Sequence, residues 1–416
     1  RILQINVQRL KRLEGVQDRI AENMKKLANY VQERIHDLQN PVDCSTAPKL
    51  LCRLTNKSGL ASGVHSLLWC LVAALRGGRT LVLDSSKWNY APENDWIKTF
   101  LPITGPSCKG ANAKKSRQSF PEAGKVQRKI IDIPSAIVKP LVSNHGSPYA
   151  WWYGQLVGYI LRLQNSTMKK ISEFKKSRGY KHPIVGVHIR RTDKYVEASY
   201  HAVDEYMIQV EDYYAKLALT MPVEKKRVFV ATDEPRVVDE IRKKYSQYDV
   251  INSEVSSHQA NRIRTRRHNT SLFGVMLDIT LLAESDFLVC TMSSGFCRVA
   301  YELMQTRHPD GSMMATSLDV EYFFAFISFP RLKTLYGNQP ASARELGWSK
   351  PGLLIERPWD NWALNEAIRK KYNDGFNPGR KVGASKAENP KLFPRFKATQ
   401  TYRVANFTAF TSPFFP

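Results

Sequence analysis

The first forty residues carry a heptad pattern of apolar positions. From residue 16 onward the apolar residues alternate spacings of four and three: Val16, Ile20, Met24, Leu27, Val31, Ile35 and Leu38. Three more extend the pattern towards the start of the chain, namely Leu3, Val7 and Leu10. This spacing is typical of helices that pack along one face, and Pro41 ends it. We therefore predict N-terminal coiled-coil helices over residues 1–41, packed either on the body of the same chain or on a second copy.

The middle of the chain alternates between strand-like and helix-like patterns. An apolar helical run, His65–Leu75, precedes a strand run, Thr80–Leu83, and residues 150–178 are helical. From residue 183 strand and helix alternate four times. The predicted strands are Ile184–Ile189, Arg227–Ala231, Asp249–Ile251 and Phe287–Cys290, and the predicted helices are Val203–Leu219, Pro235–Tyr245, Leu272–Ala283 and Arg298–Gln305. This alternation indicates an α/β fold with a parallel, doubly wound sheet.

The composition is strongly basic. Lys and Arg number 62 and Asp and Glu 38, so the net charge is +24. This charge favours anionic partners, with a solvated basic surface as the alternative. Zinc-finger spacing and RNP-like aromatic motifs are absent from the sequence, so we do not expect nucleic acid as a partner. Runs of 18 apolar residues are also absent, and the longest apolar run has the length of a buried core helix.

Six cysteines and four glycosylation sequons are informative about the cellular compartment of the protein. The cysteines form no CxxC or Cys/His pattern, so a zinc site is not expected, and sequence alone allows 15 disulfide pairings. The sequons begin at Asn56, Asn165, Asn269 and Asn406. Together these features favour a disulfide-bonded protein of the secretory pathway. The alternative is a cytosolic protein with buried free thiols.

Basic residues follow directly after one predicted strand. The segment from Gly186 to Ile189 is apolar apart from one histidine and continues as Arg190-Arg191-Thr192-Asp193-Lys194. Arginine offers a planar fork to phosphate oxygens and lysine a point charge. The motif therefore predicts a clamp for a diphosphate, with a solvated basic turn as the alternative.

Two further strand ends carry complementary chemistry. One predicted strand is followed by Asp233 and Glu234, and another by Ser293, Ser294 and Gly295 at the start of a helix. Small residues at a helix N-terminus expose backbone N–H groups to an anion. The alternatives are a helix N-cap for Asp233 and a plain turn for the Ser-Ser-Gly segment. Because carboxyl ends of parallel strands meet at one edge of a sheet, the three ends together predict a nucleotide-diphosphate site.

Residues 183–206 (PIVGVHIRRTDKYVEASYHAVDEY) resemble the donor-binding motif of the α1,6-fucosyltransferases, which core-fucosylate N-glycans. The resemblance extends over roughly 40–325 and includes RVFVATDEP and ESDFLVCTMSSGFCRVAYELM. It implies a GT-B-like fold with a Rossmann-like donor half, GDP-fucose as donor, inversion at fucose, and no cofactor or metal. Trp359-Asp360 and the segment 375–378 resemble, loosely, the SH3-like module of that family.

The resemblance also assigns roles to individual residues. Arg190 matches the diphosphate-binding arginine and Arg191 its neighbour, and Lys194 matches the lysine beside the leaving diphosphate. Glu197 matches the general base, although this chain is one residue shorter between Lys194 and Glu197. His188 and Asp278 match guanine contacts, Tyr90 and Asp233 lie near the nucleoside, and Asp193, Tyr206, Ser293 and Ser294 complete the donor pocket. Lys57 and Asp319 match acceptor contacts. A core histidine, a surface carboxylate and packing aromatics are the alternatives for His188, Asp278 and the two tyrosines.

The sequence departs from the family at three points. The loop Ser58–Gly63 is one residue shorter and lacks a pair of cysteines, Gly295 replaces an amide that holds phosphate, and Pro358 replaces an acceptor-contacting histidine. These changes bear on donor affinity and acceptor recognition. The six remaining cysteines match the family pairs Cys44–Cys108, Cys52–Cys70 and Cys290–Cys297.

The resemblance implies an organisation for the whole protein. We expect a stem (1–41), a first catalytic subdomain of open α/β type (42–182), a GDP-fucose-binding subdomain (183–330), an SH3-like β module (331–383) and a tail (384–416). The expected context is the Golgi lumen, with a membrane anchor upstream of this chain, a homodimer through the N-terminal helices, and an N-glycoprotein acceptor. The alternatives are a fucosyltransferase for chitin-type oligosaccharides or protein hydroxyls, and a GDP- or glycan-binding protein with weak turnover.

Overall fold

The computed structural model describes residues 15–55, 59–91, 95–105, 108, 133–192, 199–261 and 268–322. These residues form an α/β fold with two parallel sheets. The helices are α1 (Val16–Gln39), α2 (Leu60–Gly77), α3 (Trp96–Thr99), α4 (Ser135–Val142), α5 (Pro148–Ile160), α6 (Asn165–Arg178), α7 (Val203–Leu217), α8 (Arg236–Lys244), α9 (Glu254–Asn261), α10 (Leu272–Glu284) and α11 (Gly295–Met304). The strands are β1 (Lys49–Thr55), β2 (Thr80–Lys87), β3 (Ile184–Ile189), β4 (Arg227–Thr232), β5 (Asp249–Asn252), β6 (Phe287–Cys290) and β7 (Ala315–Ser317). The SH3-like module and tail predicted from the sequence lie outside the described residues.

The apolar seam of α1 packs on its own chain. The buried seam positions are Met24, Leu27, Val31 and Ile35, and they join the core formed by α2, α5 and β2. Polar contacts fix the helix in place: Gln32 donates to the backbone oxygen of Gln155 at 2.9 Å, and the side chain of Gln39 accepts from the backbone of Leu81 at 2.8 Å. Of the two partners that the heptad pattern allowed, the described part of the seam therefore uses the body of the same chain.

A small parallel sheet and a buried helix form the N-terminal half. β1 pairs with β2 in the register Lys49 to Thr80, and α2 connects the two strands. Within the described residues α2 is long and apolar enough to cross a membrane by length and composition, yet eleven of its residues are buried in the core. This matches the core helix predicted from the sequence. The structure contains the disulfides Cys44–Cys108, Cys52–Cys70 and Cys290–Cys297 that the family resemblance implied.

The second sheet has five parallel strands in the order β5-β4-β3-β6-β7. The central strand β3 pairs with β4 on one side and β6 on the other, and all six of its residues are buried. The chain order therefore reverses direction between β3 and β6. In open α/β sheets, ligands bind at the carboxyl ends of the strands beside such a reversal. This Rossmann-like order places the candidate residues after β3, β4 and β6 at one edge.

A buried hydrogen-bonded pair joins the two halves. His65 on α2 lies 2.9 Å from a carboxylate oxygen of Glu302 on α11, and the hydroxyl of Tyr322 donates to the other oxygen at 2.9 Å. The side chain of Glu302 is 1% exposed. α5 also packs closely here, since a Cβ added at Gly154 would lie 2.3 Å from the backbone oxygen of Glu302. Glu302 therefore ties the helix that begins at the candidate site to the N-terminal half.

We expect Glu302→Ala to lower the free energy of unfolding by about 3 kcal/mol, because it leaves a histidine and a tyrosine hydroxyl in a buried site without their carboxylate. Urea unfolding followed by circular dichroism measures this. Glu173→Ala, on the exposed face of α6, is the control and should change stability by less than about 0.5 kcal/mol. Equal stability of the two variants would show that the buried pair does not hold the halves together.

Candidate functional site

The candidate site lies at the carboxyl edge of the five-stranded sheet. Three strand ends contribute side chains to it: Arg190, Arg191 and Thr192 after β3, Asp233 and Glu234 after β4, and Ser293 and Ser294 after β6. β3 lies between β4 and β6, so the basic segment stands between the acidic and the serine-containing segments. Sequence reasoning predicted this arrangement from the three strand ends.

Asp233 organises the basic segment. Its carboxylate pairs with the guanidinium of Arg190 and accepts from the hydroxyl of Thr192 through one oxygen, while the other oxygen accepts from the backbone N–H of Arg191 at 2.9 Å. The side chain of Asp233 is 3% exposed and that of Arg190 is 18% exposed. Asp233 thus does not cap α8, whose N-cap is Pro235. It fixes the turn after β3 and leaves one edge of the Arg190 side chain open to solvent.

Arg191 is more deeply engaged than Arg190. Its guanidinium donates to the backbone oxygen of His201 at 3.0 Å, lies 3.5 Å from the carboxylate of Glu234 and stacks 4.5 Å from the ring centre of Tyr200. Its side chain is 10% exposed. The side chain of Arg191 is thus less exposed than that of Arg190.

His188 is the second-last residue of β3, just before the basic segment. It is 3% exposed, and its ring stacks on Phe296 with centroids 4.7 Å apart and planes inclined by 11°. Phe296 belongs to the first turn of α11. The structure therefore places His188 at the end of β3, where its buried ring faces the aromatic ring of Phe296.

Asp278 is a buried carboxylate on α10. It is 5% exposed, so the alternative of a surface charge is wrong. Oδ2 accepts from the hydroxyl of Ser256, and Oδ1 is buried with no hydrogen-bond partner among the described groups. Burial raises the pKa of Asp278 to about 7, and the Ser256 hydrogen bond opposes that rise. A buried acceptor of this kind suits a ligand that presents N–H donors.

The β6–α11 loop is fixed by hydrogen bonds of its own backbone N–H groups. Ser294 is the N-cap of α11, and the Cys290–Cys297 disulfide spans the loop. The N–H of Ser293 donates to Asp319 at 3.3 Å, which places this predicted acceptor residue against the same loop. A Cβ added at Gly295 would lie 3.3 Å from the Cβ of Ala61. The first turn of α2 therefore borders the loop.

The two tyrosines have core positions. Tyr90 is 3% exposed, and its hydroxyl accepts from the backbone N–H of Leu60 at 3.2 Å, which fixes the start of α2. Tyr206 is 2% exposed and presents its ring in an edge contact with His201. The structure thus shows both as packing aromatics that support neighbouring backbone, and their roles as donor contacts stay predictions.

Four predicted residues, Lys57, Asp193, Lys194 and Glu197, lie outside the described residues. Sequence reasoning missed Ser256, because α9 shows no apolar periodicity, and it missed Phe296 and Tyr200, whose roles depend on the contacts of rings far apart in sequence. Within the described part of the chain, three His, Cys, Asp or Glu side chains nowhere come together as a cation site.

The chain is similar in sequence to known proteins. A sequence model described as the N- and catalytic domains of alpha-(1,6)-fucosyltransferase matches residues 1–323. The chain belongs to the alpha-(1,6)-fucosyltransferase family. It is 34% identical over 415 residues to an alpha-(1,6)-fucosyltransferase of Drosophila melanogaster, a match that covers 96% of this chain and 64% of the relative. An alpha-(1,6)-fucosyltransferase of Caenorhabditis elegans is 32% identical, with coverage of 90% and 70% respectively.

This family member thus spans about two thirds of the length of the relatives it matches. Two solved structures are similar at low identity. NodZ alpha-1,6-fucosyltransferase soaked with GDP-fucose is 18% identical with a TM-score of 0.38, over 62% of this chain and 93% of NodZ. A mutant of Arabidopsis thaliana FUT1 in complex with GDP is 17% identical with a TM-score of 0.40, over 71% and 79%. The family assignment rests on the sequence matches alone.

Proposed function

We propose that this protein is a glycosyltransferase that moves L-fucose from GDP-fucose to the 6-hydroxyl of the innermost GlcNAc of N-glycans, with inversion at the fucose and without a metal ion. The observation that carries the proposal is the family match over residues 1–323. The contacts of Arg190 and Asp233 at the sheet edge support it, because they hold a cation where an α/β fold of this topology receives a nucleotide.

The described residues offer a surface for each part of the donor. Asp278 has a buried oxygen for the N–H edge of guanine. The first turn of α11, which follows Ser293 and Ser294, offers the backbone donors of a helix N-terminus to phosphate oxygens, and Arg190 offers a guanidinium. The stacked rings of His188 and Phe296 join the end of β3 to the first turn of α11. We expect the nucleotide to lie along the ends of β3 and β6.

The bonds and the proton of the transfer step are all accounted for without a metal ion. The 6-hydroxyl oxygen of GlcNAc bonds to C1 of fucose, the bond from C1 to the β-phosphate oxygen breaks, and the hydroxyl proton passes to Glu197. Arg190 and Lys194 neutralise the charge that grows on the departing GDP, an effect commonly equivalent to about 3 kcal/mol for one well-placed contact. Glu197 acts as general base. The roles of Lys194 and Glu197 follow from the family resemblance.

Incubation with GDP-fucose and a biantennary N-glycopeptide tests the function. Mass spectrometry of the product should place fucose on the innermost GlcNAc, and EDTA should leave the rate unchanged. Product on a chitin-type oligosaccharide or on a protein hydroxyl, with none on the glycopeptide, would support the second candidate, which Pro358 favours because it replaces a residue that meets the acceptor. GDP binding without product on any acceptor would contradict both.

The proposal extends to architecture and context. We propose a GT-B-like arrangement, an SH3-like module over 331–383, a Golgi-lumenal location and a homodimer. The three disulfides support an oxidising compartment. Since α1 packs its seam on its own chain from Met24 onward, a dimer through the N-terminal helices would use residues other than those buried positions. Light scattering of the purified chain measures the mass, and immunofluorescence of the full-length protein tests the location.

A further inference from the structure

Helix α9 buries serines where most helices bury apolar side chains. Ser256 and Ser257 are 3% and 2% exposed, whereas Val255, the apolar residue beside them, is 68% exposed. Burial of a hydroxyl is unfavourable unless it is hydrogen-bonded. The buried face of α9 is thus polar. The role of this face depends on the groups that the serine hydroxyls contact.

The hydroxyl of Ser256 binds Asp278. It donates to Oδ2 of that carboxylate, and the contact is sterically fixed, because a Cβ added at Gly274 on α10 would lie 3.1 Å from the Cβ of Ser256. At the other end of α9, Asn261 donates to the backbone oxygen of Asp233 at 3.2 Å. Polar contacts therefore connect α9 to both aspartates of the candidate site.

The Ser256 bond determines which carboxylate oxygen remains for a ligand. With Oδ2 engaged, Oδ1 is the buried acceptor without a partner among the described groups. A hydroxyl on one oxygen also restricts rotation of the carboxylate about its Cβ–Cγ bond. Guanine presents two adjacent donors, N1–H and the 2-amino group. Oδ1 can accept from one of them and the second lone pair of Oδ2 from the other, provided that the carboxylate is held in the plane of the base. Hypoxanthine lacks the 2-amino group and has only the first donor.

We propose that Ser256 is a positioning residue that orients the Asp278 carboxylate, and that the pair selects guanine over a base without the 2-amino group. The inference rests on the proposed function, since it takes the guanine of GDP-fucose as the ligand. Ser257, one position along the same helix and equally buried, provides a matched comparison, because none of its contacts reaches a site aspartate in the described structure.

A pH dependence follows from the same contact. Burial raises the pKa of Asp278 to about 7 and the Ser256 hydrogen bond lowers it, so removal of that bond should raise the pKa further. The titratable and charged groups on the elements packed against α10 are His188 on β3, Arg227 on β4, Glu254 and His258 on α9, and Arg298, Tyr301 and Glu302 on α11. Guanine binds the ionised carboxylate. The affinity for GDP should therefore be highest above the pKa of Asp278 and should fall by up to about tenfold per pH unit below that pKa.

The test is calorimetric titration of the purified protein with GDP and with inosine diphosphate between pH 6 and pH 8, where N1 of both bases keeps its proton. Ser256→Ala should weaken GDP binding by about tenfold at pH 7, the fold-change expected when a hydrogen bond to a charged group is lost. The loss should shrink towards pH 8, and the preference of the variant for GDP over inosine diphosphate should be smaller than that of the wild type. Ser257→Ala should match the wild type. Phosphate ionisation affects both nucleotides equally, so their ratio isolates the base.

The outcomes separate the inference from the proposed function. Wild-type protein that binds no GDP would overturn the proposed function. Wild-type protein that prefers GDP, with Ser256→Ala identical to Ser257→Ala at every pH, would overturn the role of Ser256 alone. If Ser256→Ala does not fold, Ser256→Cys replaces it, because a thiol of similar size is a weaker donor to Asp278. The same pH-dependent loss of GDP affinity is then expected, and a Ser256→Cys variant that matches the wild type at every pH contradicts the inference.

Discussion

Glu197→Gln is expected to lower the rate of fucosyl transfer by about 10²–10⁴-fold, the contribution typical of a general base. Glutamine has nearly the same size and shape but cannot take the proton of the 6-hydroxyl. GDP affinity should stay within about twofold, because the proposed role involves the acceptor and not the nucleotide. The measurements are kcat with GDP-fucose and a biantennary glycopeptide, and the Kd of GDP by calorimetry.

The control for this variant is Glu173→Gln, the same change on the exposed face of α6, which should leave both constants unchanged. A kcat for Glu197→Gln equal to that of the control would remove Glu197 from the base role. A parallel loss of GDP binding would show instead that Glu197 shapes the donor site.

Arg190→Ala is expected to lower kcat by about 10²–10³-fold, as removal of one well-placed donor to a developing negative charge commonly does. The fold should survive, because Asp233 still accepts from the hydroxyl of Thr192 and the backbone N–H of Arg191. Arg190→Lys should recover only part of the rate, since an ammonium keeps the charge but loses the planar fork. Kinetics with GDP-fucose and thermal unfolding measure the two effects separately.

Arg236→Ala is the charge-matched control, because Arg236 is an exposed arginine at the start of α8 on the same edge of the sheet. It removes the same positive charge without touching Asp233. If Arg190→Ala and Arg236→Ala give the same kcat, then the cation at the end of β3 does not act on the leaving group, and the proposed clamp is incorrect.

The strands of the second sheet were the most predictable part of the fold. β3 and β6 coincide with the predicted runs, because a strand covered on both faces is continuously apolar and has clear ends. The meeting of Arg190 and Asp233 followed from the same argument, since parallel strands bring their carboxyl ends together. β1 was missed, because Lys49 and Arg53 interrupt its apolar pattern, and β7 was missed because only three residues pair.

Other features depend on contacts that a one-dimensional pattern does not contain. The heptad pattern shows that α1 must pack its apolar face on a partner, but it does not show which partner. In the structure that partner is the hydrophobic core of the same chain. Asp278 occupies a helix position that periodicity alone allows to be exposed or buried. Ser256 gave no signal, because a single serine in an unpredicted helix has no motif. The family resemblance named Asp278, and only the coordinates connect it to Ser256.

The arrangement around Asp233 constrains how this corner of the molecule can change during evolution. One carboxylate serves the guanidinium of Arg190, the hydroxyl of Thr192 and the amide of Arg191. Any replacement of Asp233 leaves all three donors without their acceptor in a single step, whereas a change at Thr192 affects one. We therefore expect descendants of this gene to vary at Thr192 before Arg190 or Asp233, and the latter two to be inherited or lost together.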